Sequence, residues 1–399
     1  MAKRVLVLAA GPNALDTLNN ARHLGYYTIA VAGDPGSPLL AAADEAFVAD
    51  YLDPAEIARA ARRARVDGIY PAPEPAMLAV ARAAAQLGLP GIAPEAMALL
   101  QNKLAMCEAL GAQGLPNPRF RAVRSIEQAE AAARELGAPL IVKPADSFAS
   151  KGVRQLDHLE DMPLAFTQAL GNSCAGVVLL ESVMAGQEVC VEGVVQDRAL
   201  HVVTTMGKER SNPPYCFARG VYAPGPLDVD TRDRVMETVN ASLDALGLTA
   251  GYVHVETIVS PEAVGIIEVA PYPAAARLPQ DLALLAHGVD TTAICLSMAV
   301  GDRPDCTHRF KRAAALFWIP SRSGVITEIQ GVEEARAAPG IEEVVVTARR
   351  GDVMRHAADC ASRDRVGYVL ATGDSAAQAI NRACHARDLC VIQTSQTLE

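Results

Sequence analysis

Aromatic side chains are scarce in this sequence. Phe, Tyr and Trp make up 4% of 399 residues, although half of all residues are hydrophobic. A chain this apolar folds, and its abundant alanine favours helices packed closely on sheets. Dense Lys/Arg runs are missing and the formal net charge is −10, which argues against a nucleic-acid-binding surface. No apolar stretch reaches membrane-spanning length. The opening M-A-K-R-V-L-V-L-A-A-G-P has too short an apolar run for a secretory signal and is expected to enter a strand and turn. The nine cysteines form no C-x-x-C pair and show no ligand-like spacing, so they read as reduced core residues of a cytoplasmic protein. His356 and Cys360 stand four apart, as metal ligands can, but chance produces such pairs more often than metal sites do. There is no internal repeat and no low-complexity linker. G-x-G-x-x-G is missing from the first turn, which disfavours a dinucleotide site and with it an NAD(P)-dependent oxidoreductase.

What is present centres on Leu140–Val153, L-I-V-K-P-A-D-S-F-A-S-K-G-V. A short apolar strand ends in Lys143, and a loop of small residues follows, with Ser147, Ser150, Lys151 and Gly152. Small residues let backbone N–H groups approach an anion, and a lysine at the strand end adds fixed positive charge. This suggests phosphate handling. It is not a Walker A loop, because G-x-x-x-x-G-K-[ST] is absent and the lysine precedes the loop. A surface hairpin with a snorkelling lysine is the plainer alternative.

Length allows two to four domains or subdomains. Up to about Leu89, apolar runs alternate with amphipathic helices, which predicts a doubly wound parallel sheet. Gly11 and Asn13 either make a tight turn and helix cap or, with Asp34 and Glu74, line a cleft at that sheet's carboxyl edge. A helical linker containing Asn102 and Lys103 follows. Strands are expected at Gly176–Ser182, which carries Glu181, and at Glu188–Gln196, with Ala199–Met206 as hairpin partner. Met206–Pro226 holds Lys208, Arg210, Arg219 and Tyr222 and reads as a polar, substrate-facing loop or an ordinary solvated one. After a helix over Val229–Leu246 come two strands turning near Pro261. They carry Glu256 and Glu268 at comparable depth, close enough on one face to share a metal. Inward-pointing glutamates among Val and Ile are costly unless paired or metal-bound. The remainder, from about Phe310, reads as an α/β lid with strands at Ala313–Ile319, Val344–Val346 and Val366–Ala371 and a helix over Ser375–Arg387.

Taken together, these motifs resemble the ATP-grasp superfamily, in its carboxylate–amine ligase branch, which includes amino-acid (dipeptide) ligases. The resemblance covers nearly the whole chain. It implies a mixed α/β and α+β fold: a Rossmann-like domain over 1–93, a small nucleotide-clamp subdomain with linker helices over 94–182, a large subdomain with the metal site over 183–310, and a C-terminal α/β lid domain over 311–399. It implies that Lys103 contacts the ATP phosphates and that Lys143 lies near the α-phosphate and adenine. Ser147, Ser150, Lys151 and Gly152 form the phosphate loop. Glu181, Ser182 and Val183 form the hinge that reads adenine, and Glu188 holds the ribose. Glu256 and Glu268 bind magnesium, with manganese as an alternative ion. Lys208, Arg219 and Arg277 are the candidate catalytic cations, anchoring a substrate carboxylate or the transferred phosphate.

The resemblance further implies ATP-dependent joining of an amino-acid carboxylate to an amine through an acyl phosphate. Small molecules are the partners, with no nucleic acid and no membrane, and a homodimer is compatible. Two alternatives are a bicarbonate-using enzyme of the carboxylase or purine-pathway type, and a catalytically impaired ATP-binding subunit. The latter is motivated by Glu268-Val269-Ala270-Pro271-Tyr272, where the family usually has E-[IV]-N-P-R. Ala270 offers no amide oxygen and Tyr272 no guanidinium, so the enzyme works with one magnesium and a relocated arginine, takes an unusual substrate, or has lost catalysis.

Overall fold

The computed structural model describes residues 2–8, 14–70, 74–147, 150–273, 278–354 and 366–395. Gly11, Asn13, Arg277 and the His356/Cys360 pair lie outside them. Four short apolar runs, β1 (Arg4–Leu8), β2 (Tyr27–Ala32), β3 (Glu45–Val48) and β4 (Gly68–Tyr70), form an all-parallel sheet in the order β3-β2-β1-β4. On one face α1 (Ala14–His23) and α2 (Pro38–Ala42) contribute Leu18, Ala21 and Leu39. On the other, α3 (Pro54–Ala64) and α4 (Met77–Leu87) contribute Ile57, Ala61 and Val80. Alanine-rich helix faces on both sides make the doubly wound layer that the sequence rhythm predicts. Asp34 sits in an exposed turn after β2, where its carboxylate accepts from the Gly36 N–H at 2.8 Å.

The expected helical linker is two helices, α5 (Pro94–Leu100) and α6 (Lys103–Ala112). Asn102 separates them. Its backbone is extended and its side-chain oxygen accepts from the Leu104 and Ala105 N–H groups at 3.0 and 3.1 Å. It therefore caps α6 and makes Lys103 the first helical residue. Next, β5 (Phe120–Val123), β6 (Leu140–Pro144), β7 (Arg154–Leu156) and β8 (Val178–Ser182) form an antiparallel sheet in the order β5-β8-β6-β7. α7 (Ile126–Leu136) and α8 (Met162–Leu170) cover it through Ala129, Ala133 and Phe166.

The largest sheet has eight strands. Its members are β9 (Gln187–Gln196), β10 (Ala199–Arg210), β11 (Ala218–Ala223), β12 (Gly251–Val259), β13 (Val264–Ala270) and, from the C-terminal region, β14 (Ala313–Ile319), β16 (Ile341–Val346) and β18 (Gly367–Gly373). Their order is β13-β12-β9-β10-β11-β14-β18-β16. Three strands absent from the sequence reading, β15 (Gly324–Gln330), β17 (Val353–Met354) and β19 (Val391–Thr394), make a small separate sheet. α9 (Val229–Ala245) packs Val235, Val239 and Leu243 over β9, β12 and β13. α10 (Leu278–His287) and α11 (Thr291–Ala299) run beside the sheet and link it to the N-terminal layer, where Leu296 joins Val5 and Val7. α12 (Val332–Ala337) and α13 (Ala376–Leu389) complete the chain, with Ala379, Ala383 and Ala386 under β14 and β18. Among the described residues no single helix is long and apolar enough to cross a membrane.

One expectation is overturned. Met206–Pro226 is not a loop: Lys208 and Arg210 extend β10, Arg219 and Tyr222 lie in β11, and only residues 211–217 connect the two strands. Pairing prevails over polarity here because the partners supply what the side chains need. A Cβ at Gly207 would lie 2.3 Å from the Tyr222 ring, and one at Gly220 would lie 2.4 Å from the Phe317 ring, so both glycines admit large cross-strand neighbours. The cations Lys208 and Arg210 meet carboxylates of β9 and β12.

His287, at the end of α10, is buried and stacks on His308 with ring centroids 4.3 Å apart. Its Nε2 lies 2.9 Å from the Thr204 hydroxyl. Burial, with His308 beside it, pushes its pKa down from 6.5 to about 4. The unfolded chain therefore binds an extra proton between those values, and stability present at neutral pH is lost as pH falls through that window. We expect a loss on the order of 1–2 kcal/mol between pH 7 and pH 5. His287→Gln should flatten that part of the profile in urea unfolding, and an unchanged slope would contradict the assignment.

Candidate active site

Strand alternation sets the site. Glu188, Cys190 and Glu192 project from one face of β9, while His254 and Glu256 project from the matching face of β12. The register places His254 opposite Glu192, Glu256 opposite Cys190, and Glu268 of β13 directly opposite Glu256. The two strand glutamates are thus cross-strand neighbours, as the sequence reading expects. Four carboxylates and a histidine on a largely buried face require compensation. β10 provides it: Lys208 Nζ reaches Glu256 and lies 2.7 Å from Glu188 Oε1, and Arg210 Nε is 3.4 Å from Glu188 Oε2.

His254 completes the cluster. Its Nδ1 is 2.6 Å from Glu192 Oε1 and its Nε2 is 3.2 Å from Glu256 Oε1. Burial opposes its positive charge, but Glu192 and Glu256 outweigh burial and raise its pKa to about 10. Burial likewise works against ionised Glu256, yet Lys208 and His254 hold its carboxyl well below the usual range. The Lys208 ammonium is held well above its usual range, because Cys190, Glu188 and Glu256 overcome the cost of burial. Among the described residues, Cys190, His254 and Glu256 are the group whose donor atoms converge, all within 4.8 Å of one another.

Two more lysines approach from other elements. Lys103 Nζ lies 2.6 Å from Glu268 Oε1 and donates to the Ser147 carbonyl at 2.9 Å. Its own N–H donates to the Ala145 carbonyl at 2.9 Å, which seats the start of α6 on the loop after β6. Lys143 is buried and lies 2.7 Å from Glu181 Oε1. Burial disfavours its charge, but Glu181, with Cys107 and Glu268 nearby, leaves its pKa raised. Cys107 Sγ sits 3.8 Å from the same Glu181 oxygen, and burial together with Glu181 pushes that thiol up to about 12.

The remaining predicted residues are placed as follows. Ser150 and Gly152 have left-handed backbone, with φ of 55° and 70°, so the loop after β6 turns sharply. A Cβ at Gly152 would lie 3.1 Å from both Asn172 and the Gln168 carbonyl. Lys151 between them is half-buried. The Ser182 and Val183 N–H groups donate to the Arg119 and Pro139 carbonyls. Arg219 is exposed on β11 and stands apart from the ion-pair cluster. Ala270 is buried opposite His254 in the register, and Tyr272 packs against Met77 and Met97 near the N-terminal layer. Sequence reasoning missed Glu192, His254 and Cys190. The signal was there: Cys190 and His254 stand two residues from a predicted site glutamate and Glu192 stands four from one, which on a strand means the same face.

The donor set suits a hard divalent cation. Glu256 and Glu268 offer carboxylate oxygens from neighbouring strands, with side chains 21% and 26% exposed, so they are within reach of an entering ion.

Sequence comparison identifies two domains in the chain. Residues 136–280 match the ATP-grasp domain, and residues 316–395 match L-amino acid ligase C-terminal domain 2. The chain therefore carries an ATP-grasp domain and an L-amino acid ligase C-terminal domain, the domain content of an ATP-grasp ligase. A curated relative, the uncharacterized protein y4rH of Sinorhizobium fredii, is 29% identical over 96% of this chain and 82% of its own length. The formate-dependent phosphoribosylglycinamide formyltransferase of Oleidesulfovibrio alaskensis is 23% identical over 96% of this chain and 95% of its own. The L-amino acid ligase from Bacillus licheniformis shares the fold, with TM-score 0.83, 21% identity and 99% of both chains covered.

Lys143 and Glu181 test the site's electrostatics. Lys143→Met leaves an uncompensated buried carboxylate and should cost about 3 kcal/mol of stability. Adding Glu181→Leu should recover most of that loss. Equal urea midpoints for wild type and Lys143→Met would contradict the pairing.

Proposed function

We propose that this chain joins the carboxylate of an amino acid to an amine, with a second amino acid as the amine, at the expense of ATP. The observation that carries the reading is the set of lysine–glutamate bridges Lys103–Glu268 and Lys208–Glu256 beside Glu188. Such a set supplies both the cations that ATP phosphates need and the hard anions that a metal needs. The matched L-amino acid ligase C-terminal domain supports the choice of substrate class.

In this reading Lys103 and Lys143 neutralise phosphate charge, and Ser147, Ser150, Lys151 and Gly152 close over the phosphates. Glu181, Ser182 and Val183 flank adenine, and Glu188 accepts from the ribose hydroxyls. Magnesium (or manganese) held by Glu256 and Glu268 would neutralise oxygens of the transferring phosphoryl group. His254 and Glu192 orient Glu256 toward that position. A carboxylate oxygen of the first substrate attacks the γ-phosphorus and ADP leaves. The amine then attacks the acyl carbon, phosphate departs with the carbon–oxygen electron pair, and the amine gives up a proton. Lys208 adds positive charge beside the transferring phosphoryl group. Arg219 or Arg277 anchors a substrate carboxylate, which frees Tyr272 to pack as an aromatic wall. Water must be excluded while the acyl phosphate exists, a task suited to the C-terminal unit as a lid. The division at about residues 93, 182 and 310, a cytoplasmic location and a homodimer belong to the same proposal.

A second reading replaces the amino acid with a one-carbon acid such as bicarbonate. The near full-length similarity to a formate-dependent formyltransferase supports it. Phosphate release from ATP and magnesium separates the readings. Release that needs two amino acids, with a condensed product by mass spectrometry, supports the first; release with bicarbonate or formate and no amino acid supports the second. ATP binding with no release under any acid would contradict both and mark Ala270 and Tyr272 as signs of lost catalysis. Glu268→Gln should lower release at least about a hundredfold; a wild-type rate would overturn the site assignment.

A further inference from the structure

Each carboxylate assigned to the metal is held by a lysine that also touches an element assigned to the nucleotide. Lys103 Nζ bridges Glu268 Oε1, at 2.6 Å, and the Ser147 carbonyl of the phosphate loop, at 2.9 Å. Lys208 Nζ bridges Glu256 and, at 2.7 Å, Glu188. The two arrangements are alike, and Glu256 and Glu268 face each other across β12 and β13. Two carboxylates so placed repel each other without a cation between them. A divalent ion arriving while both ammonium groups are in place meets like charge instead.

We propose that Lys103 and Lys208 are resident cations that keep the metal site closed until a nucleotide draws them off, so that a divalent metal binds tightly only together with ATP. The inference rests on the assignment of Glu256 and Glu268 as the metal carboxylates. A polyphosphate brings several negative charges to the Ser147 side, and a ribose competes for Glu188. The phosphates draw both ammonium groups off, Lys208 having also lost Glu188 to the ribose, and the carboxylates released are those the metal takes. Lys208 has little freedom to leave without such competition, because the cluster around it is largely buried and its charges are paired. His254, fixed by Glu192 at 2.6 Å, keeps Glu256 oriented when Lys208 leaves. Linkage makes the effect reciprocal: metal strengthens nucleotide binding by the factor by which nucleotide strengthens metal binding.

The test is Mn²⁺ binding to the full-length protein, followed by electron paramagnetic resonance, with and without a non-hydrolysable ATP analogue. The wild type should bind Mn²⁺ weakly alone and roughly tenfold or more tightly with the analogue. Lys103→Met should bind Mn²⁺ without nucleotide at least about tenfold more tightly than wild type. Lys103→Arg, which keeps the cation, should bind Mn²⁺ without nucleotide as weakly as wild type. Lys208→Met should shift the same way wherever circular dichroism shows it folded, and the Lys103 variants decide the matter if it is not. Wild type binding Mn²⁺ alone as tightly as Lys103→Met would overturn the proposal. Adding Glu268→Gln to Lys103→Met should remove the gained binding; retained binding would overturn the carboxylate assignment itself. Loss of analogue-dependent binding in Glu268→Gln, with no gain in Lys103→Met, would overturn the resident-cation proposal alone.

Discussion

Carboxylates on the buried face of a β-sheet persist as anions only where cations are folded in with them, and the site depends on that constraint. Glu188, Glu192, Glu256 and Glu268 enter from three adjacent strands, and Lys208, Arg210, His254 and Lys103 meet them from two of the same or adjoining strands and from α6. The eight-stranded order brings β13, β12, β9 and β10 together although β10 and β12 are far apart in sequence. β10 must extend through Arg210 for the balance to close, which is why the polar stretch expected to be a loop is strand. Buried ion pairs are seldom a net gain in stability over apolar packing. Their retention here is better understood as readiness for a highly charged ligand.

The same logic connects the separate layers. Lys103 belongs to the linker helix, its carbonyl partner to the loop after β6, and its carboxylate partner to β13. One side chain thus ties three elements together. Lys143 and Glu181 form an equivalent but deeper tie within the four-stranded sheet. Tyr272, seated against Met77 and Met97, joins the sheet edge to the N-terminal layer with apolar packing.

Much of this was legible in the sequence. Alternating apolar runs and helices gave the parallel layer, and the two strand glutamates were placed opposite one another by spacing alone. Lys103, Lys143, Glu181 and Glu188 were singled out through the family resemblance, and each lies in an ion pair here. The rest was hidden for physical reasons. A strand that carries Lys208 and Arg210 lacks an apolar alternation, because its burial is made possible by carboxylates distant in sequence. β17 and β19 are short strands on either edge of β15, and the many exposed residues of the three give no clear apolar period. Glu192 and His254 lay on faces that could be read once the strands were accepted, but their partnership depends on the β9–β12 register, which one sequence does not reveal.

The central claim is that a substrate carboxylate, not water, receives the phosphoryl group within this charge-balanced site. The most direct test uses an amino acid labelled with ¹⁸O in its carboxylate, incubated with the enzyme, ATP, magnesium and an amine acceptor. The account predicts transfer of one labelled oxygen into the released phosphate. Phosphate released without label, while product forms, would contradict it.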